Sequence, residues 1–381
     1  MLSKLHDVGF ANESNPRGSL ISDGTFLYGM TSDASTYSYG TIFKIKPDGT
    51  GYSKLLDFGG VANGKSPQGS LNYDGVFLYG MTKEGGTSNK GVIFKIKPDG
   101  TGYSKLLDFT GTANGWGPIG SLVSDGTFLY GMSTWGGTNN MGTIFKIKPD
   151  GTGYSKLLDF AGIANGKYPY GSLISDGVFL YGMTNSGGTN DFGIIFKIKS
   201  DGTGFANLLN FDGTNGINPF GSLISNGVFL YGMANEIIFK IKPDGTGYSN
   251  LLYFTGTNGR VPMGSLIFVG TFMYGMTAYG GTNDDGVVFK YASGTGIAEN
   301  NTETDFNIYP NPTNGKMEVR SEALKVRSIE IYNILGEIIY SIINNRQQEK
   351  YDIDISSSPK GIYFFKIYDK EKIYIEKIVK Q

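Results

Sequence analysis

Two segments, GSLNYDGVFLYGMT (69–82) and GVIFKIKPDGTGYSKLLDF (91–109), recur along the chain with few changes. The tripeptide Gly-Ser-Leu returns at Gly18, Gly69, Gly120, Gly171, Gly221 and Gly264, spaced by 51, 51, 51, 50 and 43 residues. Self-similarity of this period marks a repeat architecture, so the fold is read from one copy. In the second copy four strands are predicted: Gly69 to Tyr73, Phe77 to Thr82, Val92 to Lys97 and Ser104 to Phe109. Asp74-Gly75 separates the first two, and Pro98-Asp99-Gly100 separates the last two. Asp-Gly between apolar runs is a strong hairpin signal. The second and third strands are apolar on both faces, so both faces are expected to be covered. A four-stranded sheet packed on both sides by its neighbours is a propeller blade.

Six copies predict an all-β, six-bladed β-propeller over residues 1–292. The phase of the chain supports a ring. Ser3-Lys4-Leu5-His6-Asp7-Val8 aligns with the fourth-strand sequence Ser53 to Phe58, while the last copy stops after Val287-Val288-Phe289-Lys290. The opening residues are therefore expected to supply the missing outer strand of the last blade, leaving no open edge. A linear β-solenoid would not account for that phase shift. Residues 293–304 read as a Gly-, Ser-, Thr- and Asn-rich linker. Residues 305–381 carry short alternating strands between Asn-Pro, Leu-Gly and Pro-Lys-Gly turns, which predicts an immunoglobulin-like β-sandwich.

Composition narrows the function. Lys and Arg total 33 against 34 Asp and Glu, so no basic footprint for nucleic acid exists and no nucleic-acid partner is expected. With no cysteine and a single histidine, thiolate or His metal sites and a Ser-His nucleophile are not assembled, and no cofactor is expected. His6 aligns with Leu56, Leu107 and Leu158 and reads as a strand residue. Met1 to Val8 reads as part of a repeat; a leader has been removed or the chain belongs to a longer reading frame. Asp48, Asp99, Asp150, Asp201 and Asp244 recur in the first five copies and read as turn residues. Asp191 beside Asn190, and Asp284-Asp285 beside Asn283, are fragments of the kind a calcium site uses. The Gly-Gly loops lack the helix and the Lys-Ser/Thr that a phosphate cradle needs. The fifth copy has lost its loop: Met233-Ala234-Asn235-Glu236 runs straight into Ile237.

Strands that run alternately up and down place the Asp-Gly turns at one end of every sheet. The other end is where the copies differ. Arg17, Gln68, Ile119, Tyr170, Phe220 and Met263 immediately precede Gly-Ser-Leu; Trp116, Tyr168 and Arg260 lie nearby; Trp135 and Tyr279 lie in the opposing loops. Arg17, Gln68, Trp116, Trp135, Tyr168, Tyr170, Phe220, Arg260 and Tyr279 are the candidate ligand-binding residues, because flat rings beside amides and cations suit a polysaccharide or protein surface. No catalytic residue is assigned. The competing reading is a carbohydrate-active lyase or glycoside hydrolase, which needs a facing pair of non-repeated carboxylates.

Two resemblances rest on particular residues. "DGTFLYGMT", the Gly-Gly loop, "GTIFKIKPDGTGYSKLLDF" and the Pro-x-Gly-Ser-Leu junction resemble the Gloeobacter/Verrucomicrobia tandem repeat. That resemblance implies an extracellular bacterial protein and no general catalytic role. Tyr309-Pro310-Asn311-Pro312 with Gly315, then Gly336, Gly361 and the terminal Lys380, resemble the type IX secretion sorting domain of Bacteroidetes. This implies export across the outer membrane, an extracellular or surface location, and the secretion machinery as a partner. The chain is otherwise expected to be a monomer.

Overall fold

The computed structural model describes residues 4–5, 14–33, 37–270, 272–292, 307–311, 313–320, 328–333, 338–343, 350–368 and 373–380. The chain forms two compact units, Met1–Tyr291 and Ala292–Gln381. The first is a series of antiparallel sheets, one per repeat. The second repeat pairs Asn72–Tyr73, Leu78–Thr82, Val92–Ile96 and Ser104–Asp108 in chain order. The sheets that begin at Val123–Ser124, Ile174–Ser175 and Ile224–Ser225 repeat this order. The first sheet adds Ser14–Pro16 to the edge of Leu27–Asp33. The sixth has three described strands, Ile267–Val269, Phe272–Thr277 and Val287–Ala292.

The turn residues do what their chemistry requires. Asp74 Oδ1 accepts from the backbone of Val76 (2.8 Å) and Phe77 (2.7 Å), and its Oδ2 accepts from the Tyr79 hydroxyl at 2.7 Å. Burial opposes the charge on Asp74, but these donors outweigh it and hold its pKa below the usual carboxylate value. In the other turn, Asp99 Oδ1 accepts from both the hydroxyl and the backbone of Thr101. The repeated aspartates are thus bound to their own turns.

The innermost strand is shorter than expected, and the reason is physical. Gly69 and Ser70 lie ahead of the paired residues Asn72–Tyr73 and meet the next sheet instead, Gly69 by close approach and Ser70 by a hydrogen bond. Ser70 N–H donates to Ser121 Oγ at 2.7 Å, and Ser121 N–H to Ser172 Oγ at 2.8 Å; the series runs from Ser19 to Ser265. A Cβ on Gly69 would stand 2.3 Å from the Gly120 carbonyl oxygen, and one on Gly120 equally close to that of Gly171. Only glycine admits this approach.

Further out, apolar side chains fill the space between sheets. Tyr28, Met30, Ile42 and Phe58 of the first repeat pack against Leu71, Leu78, Val92 and Phe94 of the second. Edge-on phenylalanine pairs recur at each junction: Phe58–Phe94, Phe109–Phe145, Phe160–Phe196, Phe211–Phe239 and Phe254–Phe289, with centroids 5.3–5.6 Å apart. Lysines bridge the sheets, with Lys95 Nζ donating to the Pro149 carbonyl at 3.1 Å while lying 4.8 Å over Phe77.

The two ends of the series differ from its interior. Leu20 is 49 % exposed, whereas its equivalents Leu71, Leu122, Leu173, Leu223 and Leu266 are exposed by 5 % or less. Met276 and Val288 of the sixth sheet are 61 % and 77 % exposed. A Cβ on Gly264 would meet nothing within 4 Å. Residues 3 and 6–8, expected to finish the sixth sheet, lie outside the described residues. Leu5 is described: a Cβ on Gly49 would lie 3.0 Å from its carbonyl oxygen, as one on Gly100 would lie 3.1 Å from that of Leu55. Leu5 therefore stands to the first sheet as Leu55 stands to the second.

The second unit has two sheets, Asn307–Tyr309/Lys316–Arg320/Lys350–Asp354 and Ile338–Ile343/Ser328–Asn333/Gly361–Tyr368/Ile373–Lys380. Val319, Ile353, Ile331, Phe365 and Ile378 from both sheets share one core, so the unit is a two-layer sandwich. Linker residues 293–304 lie outside the described residues.

Replacing Gly120 by Ala drives a methyl into the Gly171 carbonyl, so Gly120→Ala is expected to lower unfolding free energy by about 1–3 kcal/mol. Urea unfolding of the variant beside an exposed Thr101→Ser control checks this; indistinguishable midpoints would deny the inner contact its role.

Candidate functional site

The segments that differ between copies meet in pairs. The stretch entering each inner strand lies beside the loop joining the second and third strands of the same sheet. Lys65 N–H donates to the Glu84 carbonyl at 2.8 Å, and Glu84 N–H returns to Lys65 at 3.1 Å. Trp116 and Trp135, Lys167 and Ser186, and Arg260 and Tyr279 exchange the same two bonds, while Asn235 N–H donates to the Ile217 carbonyl at 2.7 Å. The main-chain bonds are the same whatever the two side chains are, which leaves the side chains free to vary, and a strand hydroxyl (Thr82, Ser133, Thr184, Thr277) also donates to the loop carbonyl of each reciprocal clasp.

A second constraint fixes the entering segment. The residue before each proline has positive φ: Asn15, Ser66, Gly117, Tyr168, Asn218 and Val261 lie between 47° and 64°. A β-branched residue such as Val261 is strained there. At Gly117 the requirement is double, because a Cβ would also stand 2.5 Å from the Trp135 ring.

Four of the candidate residues join into one row of rings. Trp116 stacks on Trp135 (centroids 4.6 Å, planes 24° apart), Trp135 meets Tyr170 edge-on at 6.3 Å, and Tyr170 stacks on Phe220 at 5.0 Å. All four are half-buried. Trp116 Nε1 donates to Asn140 Oδ1 at 3.3 Å, and Lys83 Nζ lies 5.9 Å over Trp135. Desolvation, then the neighbouring Tyr168, raises the Tyr170 pKa. Arg17 (exposed) and Gln68 (half-buried) hold the equivalent positions in the first two sheets and have no ring to extend the row. Tyr168 faces Lys167 Nζ at 5.8 Å, and the Arg260 guanidinium lies 5.1 Å over Tyr279.

Three carboxylates of this face are engaged, while Glu236 and Asp285 are exposed. Glu84 pairs with Lys65 at 3.1 Å and Asp191 with Lys167 at 2.8 Å. Asp284 Oδ2 and Oδ1 accept from Arg260 at 2.5 and 3.1 Å. The Arg260 hydrogen bond and the Gly280 N–H hold the Asp284 pKa down; Lys167 and the Gly187 N–H do the same for Asp191. Asp191 and Asp284 each accept the first N–H of a Gly-Gly loop, as Asn89 and Asn140 do in their copies. They are loop caps, which accounts for their position without an ion. Among the described residues no cluster of His, Asp and Glu is placed to hold a metal.

Beside Phe220 the face opens into a cavity of about 290 Å³, lined by Asn185, Asn218, Phe220, Asn235, Val261 and Pro262. Asn185 and Asn235 were not among the sequence candidates; the missing Gly-Gly loop of the fifth copy was the available signal. Asn218 Nδ2 donates to the Asn185 carbonyl at 2.9 Å. Asn235 Oδ1 is buried and has no hydrogen-bond partner.

In the C-terminal unit the motif residues tie the last strand down. Asn311 Oδ1 accepts from Val379 N–H at 3.0 Å, and Ile355 N–H donates to the Gly315 carbonyl at 2.7 Å. Lys380 is buried, and its Nζ donates to the carbonyls of Ser356 (2.7 Å) and Ser358. Tyr309 donates to Glu318, Pro310 follows it on the surface, and Gly361 opens its strand. Pro312 and Gly336 lie outside the described residues.

Comparison with known proteins follows these two units. The Gloeobacter/Verrucomicrobia repeat matches residues 15–237, and the secretion system C-terminal sorting domain matches residues 307–381. The tail therefore marks the chain for secretion to the cell surface or the extracellular space. No curated protein sequence matches the chain. Among solved structures, the extracellular domain of a putative hybrid two-component system from B. thetaiotaomicron is 11 % identical, with 98 % of this chain and 52 % of that chain covered and a TM-score of 0.54. An oligogalacturonate lyase in complex with manganese is 13 % identical (76 % of each chain, TM-score 0.46). A putative 6-phosphogluconolactonase from Bacteroides uniformis is 14 % identical (86 % of this chain, 98 % of that chain, TM-score 0.45). The chain spans about half the length of that extracellular domain. These neighbours include enzymes and non-enzymes, and the likeness concerns the propeller-like fold.

Gly117→Ala tests the support of the ring row. The methyl meets Trp135 in a backbone region that alanine avoids, with an expected destabilisation of about 1–3 kcal/mol. Both tryptophans of the chain sit in this pair, so the native emission spectrum is expected to shift with it; an unchanged spectrum would contradict the packing.

Proposed function

The chain belongs to the Gloeobacter/Verrucomicrobia repeat family, and from that premise we propose a secreted or surface-displayed, non-enzymatic propeller that binds an extracellular polysaccharide through its variable-loop face. The observation that carries this reading is the row Trp116–Trp135–Tyr170–Phe220. Ring faces and edges give apolar area at low entropic cost, and sugar C–H faces are the polar-rimmed apolar surfaces that fit them. Three of the face's acidic groups, Glu84, Asp191 and Asp284, are each paired with a cation, which lowers the charge offered to a ligand and suits a neutral polymer. The same pairing takes these three carboxylates out of the free acid and base that hydrolysis needs, and leaves Glu236 and Asp285 as the pair that the hydrolase reading would have to use.

The binder is read as a monomer of six sheets closed into a ring, with an immunoglobulin-like tail that engages the type IX machinery. Closure is supported by the matching apolar faces of Leu20 on the first sheet and Met276 and Val288 on the last, and by Leu5 standing where a sixth outer strand would pass. The chain has no cysteine, so Val288→Cys is a clean reporter. Maleimide labelling in native buffer is expected to be about tenfold or more slower than for an exposed Thr101→Cys control. Equal rates would refute the ring.

Binding is checked with the full chain on an array of neutral and acidic polysaccharides, followed by tryptophan emission during titration. Trp135→Ala is expected to weaken the polymer by about tenfold or more. Binding that ignores both Trp116→Ala and Trp135→Ala would place the ligand elsewhere.

A further inference from the structure

The fifth repeat departs from the others at one point. In the second repeat nine residues separate Thr82 from Val92; in the fifth, only Asn235 and Glu236 separate Ala234 from Ile237. Elsewhere the longer loop folds over the segment that enters the sheet. Gly86 N–H, for instance, donates to the Gly60 carbonyl at 2.9 Å, and Gly188 N–H to that of Gly162 at 3.0 Å. Without this cover the ground beside Phe220 lies open as the 290 Å³ cavity.

The lining is unusual for such a gap. Its six residues carry three amides, one ring and no charge. Each amide offers both donors and acceptors. Asn185 is fixed in place: its Nδ2 donates to the Pro219 carbonyl at 3.4 Å and its Oδ1 accepts from Ser186 Oγ at 3.1 Å. Asn218 is tied to Asn185. Asn235 is the exception, with its Oδ1 buried and unpartnered. A buried acceptor left in this state is unfavourable by about 1–3 kcal/mol, which a donor in the cavity would relieve once the Asn235 amide turns toward it. The strained Val261 (φ 53°) forms the far wall, and strain of this kind is retained where the surrounding structure enforces it. Phe220 both lines the cavity and ends the aromatic row. A volume near the lower limit of small-ligand sites holds one ring-sized group and no stretch of polymer.

We propose that this cavity is a subsite for one neutral sugar residue, the end of the glycan chain whose body lies along Phe220, Tyr170, Trp135 and Trp116. The proposal rests on the glycan-binding reading of the face and adds its polarity: the polymer is held by an end. Vicinal hydroxyls meet the Asn235 and Asn218 amides, and the sugar ring meets Phe220. A carboxylate is disfavoured, because no cation lines the cavity to receive it.

The test uses the full chain, a neutral oligosaccharide that binds it, the matching methyl monosaccharide, and a uronate-terminated oligosaccharide. Asn235→Ala is expected to weaken the oligosaccharide about fivefold to tenfold and to abolish the monosaccharide signal in saturation-transfer NMR. Trp135→Ala is expected to weaken the oligosaccharide while leaving the monosaccharide unchanged. A second variant replaces Asn235-Glu236 with residues 185–193 of the fourth repeat. It restores a loop the fold already accommodates, and is expected to abolish monosaccharide binding with the melting temperature retained. If Trp135→Ala weakens the oligosaccharide but neither Asn235→Ala nor the graft does, the subsite is wrong and the face reading stands. Equal affinity for the uronate-terminated chain overturns the neutral-sugar assignment. No binding of any glycan overturns both readings.

Discussion

The close approach of one inner strand to the next governs everything else in the repeat unit. Gly69, Gly120, Gly171 and Gly221 each bring a bare Cα against a carbonyl of the following sheet, and the following serine donates its N–H across the same gap. This contact joins sheets, so it cannot also serve the ladder within a sheet. The inner strand is consequently cut to two paired residues. Sheets held this tightly at one edge must splay at the other, and the splayed volume is filled by large side chains, above all the edge-on phenylalanine pairs. Small residues inside and large ones outside follow from one geometrical demand.

That demand also separates the two ends of every sheet. At one end the Asp-Gly and Pro-Asp-Gly turns are closed by side chains: Asp74 gathers Val76, Phe77 and Tyr79, and Asp99 gathers Thr101. A turn whose geometry depends on a particular carboxylate tolerates little change, and this end is nearly invariant between copies. At the other end the clasp is made by main-chain N–H and carbonyl groups that recur whatever the paired side chains are. Trp116·Trp135, Lys65·Glu84 and Arg260·Tyr279 occupy one structural position with three chemistries. Variation is concentrated where the backbone, and not the side chain, carries the structure.

This distinction explains what could be read in advance. Strand positions and turns were legible because each depends on local chemistry: Asp-Gly, Pro-Asp-Gly and the apolar runs Leu78–Thr82 and Val92–Ile96. The expected start of the inner strand at Gly69 was not, because it is set by a neighbour 51 residues away. Trp116, Trp135, Tyr170 and Phe220 could be chosen as variable aromatics, but that they touch in sequence, and that Arg17 and Gln68 stand apart from them, depends on the spacing of sheets. Asn185 escaped notice for the same reason. It looks like an ordinary loop residue until Pro219 and Asn218 are brought against it.

The fifth repeat shows how freely the clasp end can be remodelled. Loss of the Gly-Gly loop leaves the ladder in register, with Met233 opposite Ile238 and Ala234 opposite Ile237. Glu236, at a φ of 69°, takes the place that Gly91 holds in the second repeat: Phe254 N–H donates to its carbonyl at 2.7 Å, as Phe109 N–H does to Gly91 at 3.0 Å. Asn235 N–H keeps its bond to Ile217. The ladder within the sheet is intact after the deletion, while the clasp is reduced to a single main-chain bond, and a side-chain oxygen beside the cavity is left without a partner. What remains here is an intact sheet with an amide-lined gap at the end of an aromatic row, and Asn235 Oδ1 is the side-chain acceptor that the gap leaves unmatched.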